Sequence, residues 1–172
     1  LAPQTTADGL CRLQPLREGP LPTRALSTFL PPKKELIPPF EKVWSYQSGQ
    51  FNAATQSKPF TVVGVPLCDL QAIWYLDQIF VEDRSYQERR AQAFLVGMPC
   101  EAGLECRCDR QMMPIAGDLF IAEDRVWALS PAGEVLLKTC GCLDAKDMSL
   151  PWPEGIRAKH PADSGLPNRA EA

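Results

Sequence analysis

Cysteines are the residues of this chain with the clearest capacity for chemistry. The sequence contains seven of them, and five fall between residues 100 and 142. Four of these five form two Cys-x-Cys pairs, Cys106 with Cys108 and Cys140 with Cys142. Thiols at this density staple a fold as disulfides, hold a metal or carry redox chemistry. The sequence leaves all three interpretations open, and also a fourth, in which most of the cysteines are ordinary buried or free thiols.

The disulfide interpretation links the loop of the first pair to the residues of the second. Closing a loop of about thirty residues stabilises a fold by roughly 3–4 kcal/mol in the chain-entropy model. A bond within one pair is disfavoured, because a disulfide needs separated Cα atoms and a near-perpendicular dihedral angle. An odd number of cysteines leaves at least one thiol free or paired with another chain. The candidate residues are Cys100, Cys106, Cys108, Cys140 and Cys142.

The metal interpretation gathers the four cysteines of the two pairs into one site. Tetrahedral zinc or an iron–sulfur cluster accepts four thiolates, and the chain would then be a metal or electron-transfer module. One residue between paired cysteines is a tighter spacing than zinc sites usually have, so the pattern is less specific. The ligands would be Cys106, Cys108, Cys140 and Cys142.

A thiol redox protein is the third interpretation. Such proteins usually place Cys-x-x-Cys at a helix N-terminus, and this chain lacks that motif. Cys68, beside a candidate helix cap at Asp69, is interpreted as a small buried residue that packs the junction between a strand and a helix.

Other catalytic patterns are missing from the sequence. The one histidine, His160, lies near the C-terminus, so the core cannot supply a Ser-His-Asp triad or a multi-histidine metal site. Nucleotide-binding glycine loops and calcium loops do not occur either. We therefore expect no catalytic residues, no enzyme activity and, under the leading hypothesis, no cofactor.

Composition limits the partners and the compartment. A net charge of −3 and a pI near 5.2 argue against nucleic-acid binding. No run approaches the ~18 apolar residues of a membrane span, so we expect no transmembrane segment in the chain itself. The start at Leu1 and the cysteine content predict removal of a targeting peptide and an extracytoplasmic location, periplasmic or secreted, or an organelle lumen.

Proline divides the chain into three parts. Eight of the 17 prolines lie in residues 1–45 and four lie beyond residue 150. Because proline fixes φ and lacks an amide donor, the ends are predicted to be extended. The predicted parts are an N-terminal arm and linker (1–57, with 49–57 as the linker), a core (58–148) and a C-terminal arm (149–172). Apolar arm residues need a surface to lie on, and the candidate partner-binding residues are Phe29, Phe40, Trp44 and Trp152.

The core pattern predicts an α+β fold, with two helices beside a short antiparallel β-meander. A strand is predicted at 59–65, a helix capped by Asp69, and a second helix from the capping box at Ser85 to about Leu95. Three short antiparallel strands follow at 119–121, 125–129 and 134–139, the last two joined by a turn at 130–133. With its extended arms, such a fold predicts a non-catalytic accessory or structural subunit of a larger, membrane-associated assembly whose partners are other protein subunits.

Overall fold

The computed structural model describes residues 1–16, 19–42, 44–53, 58–99, 114–122 and 125–141. Helices and small sheets both contribute to this part of the chain, which confirms a mixed α and β fold. The elements, in chain order, are β1 Ala2–Thr5, β2 Cys11–Gln14, a 3₁₀ helix Pro32–Glu35, β3 Trp44–Gln47, β4 Gln50–Ala53, β5 Phe60–Pro66, α1 Leu67–Ile79, α2 Arg84–Gln92, β6 Ala93–Met98, β7 Leu119–Ala122, β8 Arg125–Ala128 and α3 Pro131–Thr139.

The main sheet has four strands in the order β5-β6-β7-β8. β5, β6 and β7 run parallel, and only β8 is antiparallel to its neighbour. α1 and α2 form the crossover between β5 and β6, as parallel neighbours require. The predicted meander is confirmed in its first two strands, which are β7 and β8 and pair antiparallel. The expectation that the sheet is antiparallel throughout is wrong. Residues 93–95 were assigned to the end of a helix, although a continuous apolar run is equally typical of a buried parallel strand.

The predicted third strand of the meander, 134–139, is also wrong, because these residues belong to α3. The sequence feature that favours a helix here is its start, where Ser130 is the N-cap and Pro131 is the first helical residue. The Ser130 side chain accepts a hydrogen bond from the Gly133 amide at 3.2 Å. A serine–proline pair before an apolar run fits a helix start as well as a turn, and here the helix is formed.

The first two helices begin earlier than predicted. α1 starts at Leu67, directly after Pro66, so Asp69 lies within its first turn. α2 is capped by Asp83, whose carboxylate accepts a hydrogen bond from the Tyr86 amide at 2.8 Å. The capping box predicted at Ser85 is thus displaced by two residues, while the strand predicted at 59–65 is confirmed as β5.

The described part of the predicted N-terminal arm is not one extended segment. It forms two antiparallel hairpins, β1–β2 and β3–β4, with the 3₁₀ helix between them. β4 falls inside the segment 49–57 that was interpreted as a linker. Leu36 and Ala25 are buried, so part of this segment rests on the chain's own core.

The N-terminus runs along the outer edge of β5. The Leu1 nitrogen donates to the Thr61 carbonyl at 2.6 Å, and the Val63 amide donates to the Leu1 carbonyl at 2.9 Å. Gly64 has φ of +81°, and a Cβ built there would lie 3.2 Å from the ring of Pro3. These first residues provide hydrogen-bond partners for the backbone groups at the edge of β5, which would otherwise be unpaired.

Two apolar clusters lie on the two faces of the main sheet. Successive strand residues point to opposite faces, so Leu95 and Phe120 join one cluster while Val96 and Leu119 join the other. The first cluster contains Leu70 and Ile73 of α1, and the second contains Leu137 of α3. The sheet is therefore covered by α1 on one side and by α3 on the other.

The predicted C-terminal arm, 149–172, lies outside the described residues. Within the part of the chain that the structure describes, no helix has the length and apolar character needed to cross a membrane.

Candidate functional site

Most of the cysteines that the sequence singles out lie outside the described residues. This applies to Cys100, Cys106, Cys108 and Cys142, and equally to Trp152 and His160. The disulfide and metal interpretations therefore stay predictions. The structure places the other three cysteines: Cys11 is half-buried, and Cys68 and Cys140 are exposed. In the described ranges, no group of three or more metal-binding side chains comes together.

Cys140 is positioned by α3. It is the residue that ends the helix, and its amide donates to the Leu136 carbonyl at 3.0 Å. The first residues of the same helix are held against the main sheet through Ser130. The location of Cys140 is thus a consequence of α3, which the sequence did not predict.

The ends of the cysteine-rich segment 100–113 are anchored on the folded part of the chain. On one side, Pro99 follows β6, and its carbonyl accepts a hydrogen bond from the Ala25 amide at 2.9 Å. On the other side, the Ala116 amide donates to the Leu70 carbonyl at 3.1 Å, which ties the returning chain to α1. The segment carries three of the seven cysteines, and it is thus joined to the described fold at the end of β6 and at α1.

Cys68 lies at the same edge of the sheet, and the sequence analysis missed its position. β5 and β6 end side by side, because Pro66 is in register with Met98. Cys68 follows Pro66 by two residues and is exposed, so the expectation of a buried packing residue is wrong. The carboxyl edge of parallel strands is where α/β folds commonly place ligands. A cysteine three residues beyond the strand predicted at 59–65 was the available signal.

Asp69 lies beside Cys68 in the first turn of α1. Burial raises the pKa of this carboxyl above its ordinary value of 3.8, and the positive charge of Lys33 acts in the opposite direction. The carboxyl edge of β5 thus combines an exposed thiol with a partly buried acid.

A buried polar network joins α1 to α2. The Tyr86 hydroxyl donates to Asp77 Oδ1 at 2.6 Å, and Arg90 Nε donates to the two Asp77 oxygens at 3.1 and 3.2 Å. Burial and then the charge of Asp77 raise the pKa of Tyr86. Burial alone would lower the pKa of Arg90, but the nearby negative charges, led by Asp77, outweigh it and raise it. Because these groups satisfy one another, we interpret the network as structural.

The predicted partner-binding residues that the structure describes are all exposed. Phe40 exposes 92% of its surface, and Phe29 and Trp44 are exposed by more than half. Burial of such a side chain against a partner would contribute roughly 1.5–3 kcal/mol. Exposure makes these residues accessible, while their role as contacts stays a prediction.

The outer side of α1 carries an apolar stripe that the sequence analysis did not separate from the core side. The buried side contributes Leu70 and Ile73. On the other side, Tyr75 and Ile79 are 56% and 54% exposed. Cys68 and Ala72 complete the stripe, since residues spaced by three and four positions share one side of a helix. α1 is therefore apolar on two sides, only one of which the described chain covers.

The sequence is similar to part of one characterised protein. It is 33% identical over 96 residues to sulfhydrogenase 2 subunit beta of Pyrococcus furiosus. The aligned region makes up 54% of this chain and 29% of the relative. The chain thus spans less than a third of the length of the relative it matches. No protein-family model matches the sequence, and no solved structure does.

Proposed function

We propose that this chain is a non-catalytic accessory subunit of a larger protein assembly and binds a neighbouring subunit through apolar side chains that its own fold leaves uncovered. The observation that carries the proposal is the outer stripe of α1, where Tyr75 and Ile79 are exposed on a helix whose other side is fully used by the core. Similarity to part of a protein named as a subunit supports the same reading.

The stripe has the geometry of a helix-docking surface. Its residues Cys68, Ala72, Tyr75 and Ile79 recur at intervals of four, three and four, the spacing at which a helix presents side chains to a groove. Val81, just beyond the helix, is 48% exposed and extends the apolar surface. Contiguous exposed apolar surface of this kind marks interaction sites in soluble proteins.

The proposed contacts also include arm residues. Phe29 and Phe40 offer exposed rings on the N-terminal segment, and Trp44 and Trp152 complete the set. Aromatic side chains such as these supply much of the binding energy in protein interfaces.

The proposed assembly is membrane-associated and lies in an extracytoplasmic or organellar compartment.

The test measures assembly of the full chain, tagged and expressed at its natural level in the source organism. Size-exclusion chromatography of native extracts and quantitative mass spectrometry follow the partner that copurifies. We expect Ile79→Ser to weaken binding of that partner at least tenfold, because loss of a hot-spot side chain costs about 2 kcal/mol or more, and about 1.4 kcal/mol corresponds to a factor of ten. Gln78→Ser, at the neighbouring exposed position, should leave it unchanged. Elution at the 19.1 kDa of the chain alone would contradict the proposal.

A thiolate metal or electron-transfer module is the second candidate. It is favoured by the exposed Cys68, which shares the carboxyl edge of β5 and β6 with Pro99, the residue directly before Cys100. The ligands would be Cys106, Cys108, Cys140 and Cys142, with Cys68 as a described thiol close to the entry of the segment. Thiolates of this kind hold zinc or an iron–sulfur cluster.

This candidate is tested by anaerobic purification followed by metal analysis and visible absorption. Bound zinc or iron that is lost in Cys106→Ser, and retained in a Cys11→Ser control on the N-terminal hairpin, would support it. Metal-free protein whose cysteines are oxidised would favour the disulfide interpretation instead. Intact mass detects this oxidation, because each disulfide lowers the mass by about two units.

A further inference from the structure

The hairpin β3–β4 has one face made of aromatic side chains. In its register, Tyr46 pairs with Phe51 and Trp44 pairs with Ala53, so Trp44, Tyr46 and Phe51 point to the same side. The rings of Tyr46 and Phe51 lie 5.0 Å apart between centroids. Their exposures of 64% and 75%, with 61% for Trp44, leave this aromatic face in solvent.

The hairpin is well formed locally and little supported otherwise. Ser48 and Gly49 have φ of +50° and +81°, as a two-residue turn between antiparallel strands requires. The opposite face carries Gln47, Gln50 and Asn52, which are exposed as well, and Ser45, which is half-buried. A two-stranded hairpin with both faces in water is only marginally stable by itself. Burial of the aromatic face against a partner would therefore stabilise the hairpin more than burial of the polar face.

The chemistry of the hairpin fits an identical hairpin. Residues 44–57 contain no charged side chain and no proline, the two devices that usually protect strand edges from pairing. Charge complementarity cannot select a partner for an uncharged surface. Two copies of such a surface also do not repel each other. Across a two-fold axis the same patch meets itself, so aromatic rings pack on aromatic rings.

We infer that the aromatic face of β3–β4 binds the same face of a second copy of this chain. Three rings of about 200 Å² each, roughly two-thirds exposed, offer about 400 Å² per copy and about 800 Å² per pair. That area is below the 1,200–2,000 Å² of stable complexes and lies in the range of about 1,000 Å² or less of weak ones. The dimer is thus reversible and depends on concentration. It does not rest on the outer stripe of α1, which carries the proposed function, and Trp44 alone belongs to both sets of proposed contacts.

The experiment is analytical ultracentrifugation of the 172-residue chain, with reductant present so that cysteines form no link between chains. Over about 1 μM to about 1 mM, a span that covers weak interfaces, we expect the average mass to rise from 19.1 kDa toward twice that value. Phe51→Ser should weaken the association at least tenfold. Asn52→Ser, on the opposite face, and Tyr75→Ser, on α1, should leave it unchanged.

A crosslinking measurement covers the case in which Phe51→Ser disrupts the hairpin itself. A photoreactive phenylalanine analogue placed at position 51 should yield a crosslinked species of dimer mass, and the same analogue at position 52 should yield at least tenfold less. A constant mass of 19.1 kDa over the whole range would overturn the inference. Equal crosslinking from both positions, or a dimer lost through Tyr75→Ser alone, would overturn it as well.

Discussion

The Ser130 hydroxyl donates a hydrogen bond to Asp118 Oδ1 at 2.7 Å and thereby joins the start of α3 to the chain just before β7. The other carboxylate oxygen of Asp118 accepts from the Leu95 amide of β6 at 2.8 Å. Asp118 exposes only 1% of its surface. One buried carboxylate thus links a central strand to the helix that carries Cys140.

Asp118→Ala should destabilise the fold by about 2–4 kcal/mol, because it leaves the buried Leu95 amide and the Ser130 hydroxyl without this acceptor. Ser130→Ala should cost less, about 1–2 kcal/mol, since it removes one hydrogen bond and the cap of α3. Urea unfolding followed by circular dichroism measures both. Glu82→Ala, at an exposed carboxylate, is the control, and equal effects of the Asp118 and Glu82 variants would contradict the linking role.

Asp77→Ala should destabilise by about 3 kcal/mol, because the Arg90 guanidinium, whose side chain is only 16% exposed, then loses its main partner. Tyr86→Phe removes one buried hydroxyl and should cost about 1–2 kcal/mol. A double-mutant cycle of the two changes measures their coupling in urea unfolding. Tyr75→Phe, which removes an exposed hydroxyl, should be neutral. Additive effects of Asp77→Ala and Tyr86→Phe would argue against a shared network.

Gly133→Ala should destabilise the protein by about 1–3 kcal/mol, although alanine favours an isolated helix by about 1 kcal/mol. A Cβ at this position would clash with the Asp118 backbone carbonyl oxygen, which cannot rotate away as a side chain can. Thermal unfolding of Gly133→Ala beside Glu134→Ala, one residue along the same helix, separates packing from propensity. A stabilised Gly133→Ala variant would show that α3 does not lie against Asp118.

Asp69→Asn should stabilise the protein at neutral pH. The raised pKa of Asp69 means that the folded state holds the proton more tightly than the unfolded state, so the free energy of unfolding falls as pH rises above 3.8. The amide has no such penalty, so the advantage of the Asn variant should shrink as pH drops toward 3.8 and be absent below it. Urea unfolding at several pH values checks this, with Glu82→Gln as the control. A destabilised Asp69→Asn at neutral pH would reverse the sign.

Sequence patterns predicted elements well where local signals were strong. β5 was predicted within one residue, because a β-branched run bounded by prolines has few alternatives. The core side of α1, with Leu70 and Ile73, also follows from helical spacing. Short apolar runs such as 93–98 and 134–139 failed, since their periodicity does not distinguish strand from helix. Gly49, the second residue of the Ser48-Gly49 turn, was interpreted as the start of a linker.

The candidate site was only partly accessible to sequence reasoning. The cysteine spacings are visible in the sequence itself. The apolar side chains of Phe29, Phe40 and Trp44 also identified them as candidate partner-binding residues. The exposure of Cys68 at the edge of the parallel strands could not be read locally, because it depends on β6 pairing beside β5. The exposure of the outer stripe of α1 could not be predicted for a related reason. The sequence of an apolar helix residue does not show whether another element covers its side chain.

By itself, the sequence determined the mixed α and β content, the absence of histidine from residues 58–148 and the concentration of five cysteines in residues 100–142. These properties depend on residue type and on neighbours within a few positions. Tertiary structure alone decided that β5, β6 and β7 run parallel and that Asp118 pairs with Leu95, 23 residues away. It also decided which apolar faces stay uncovered. Such contacts are selected by the burial of the whole chain, because local propensities differ by less than the free energy that packing supplies.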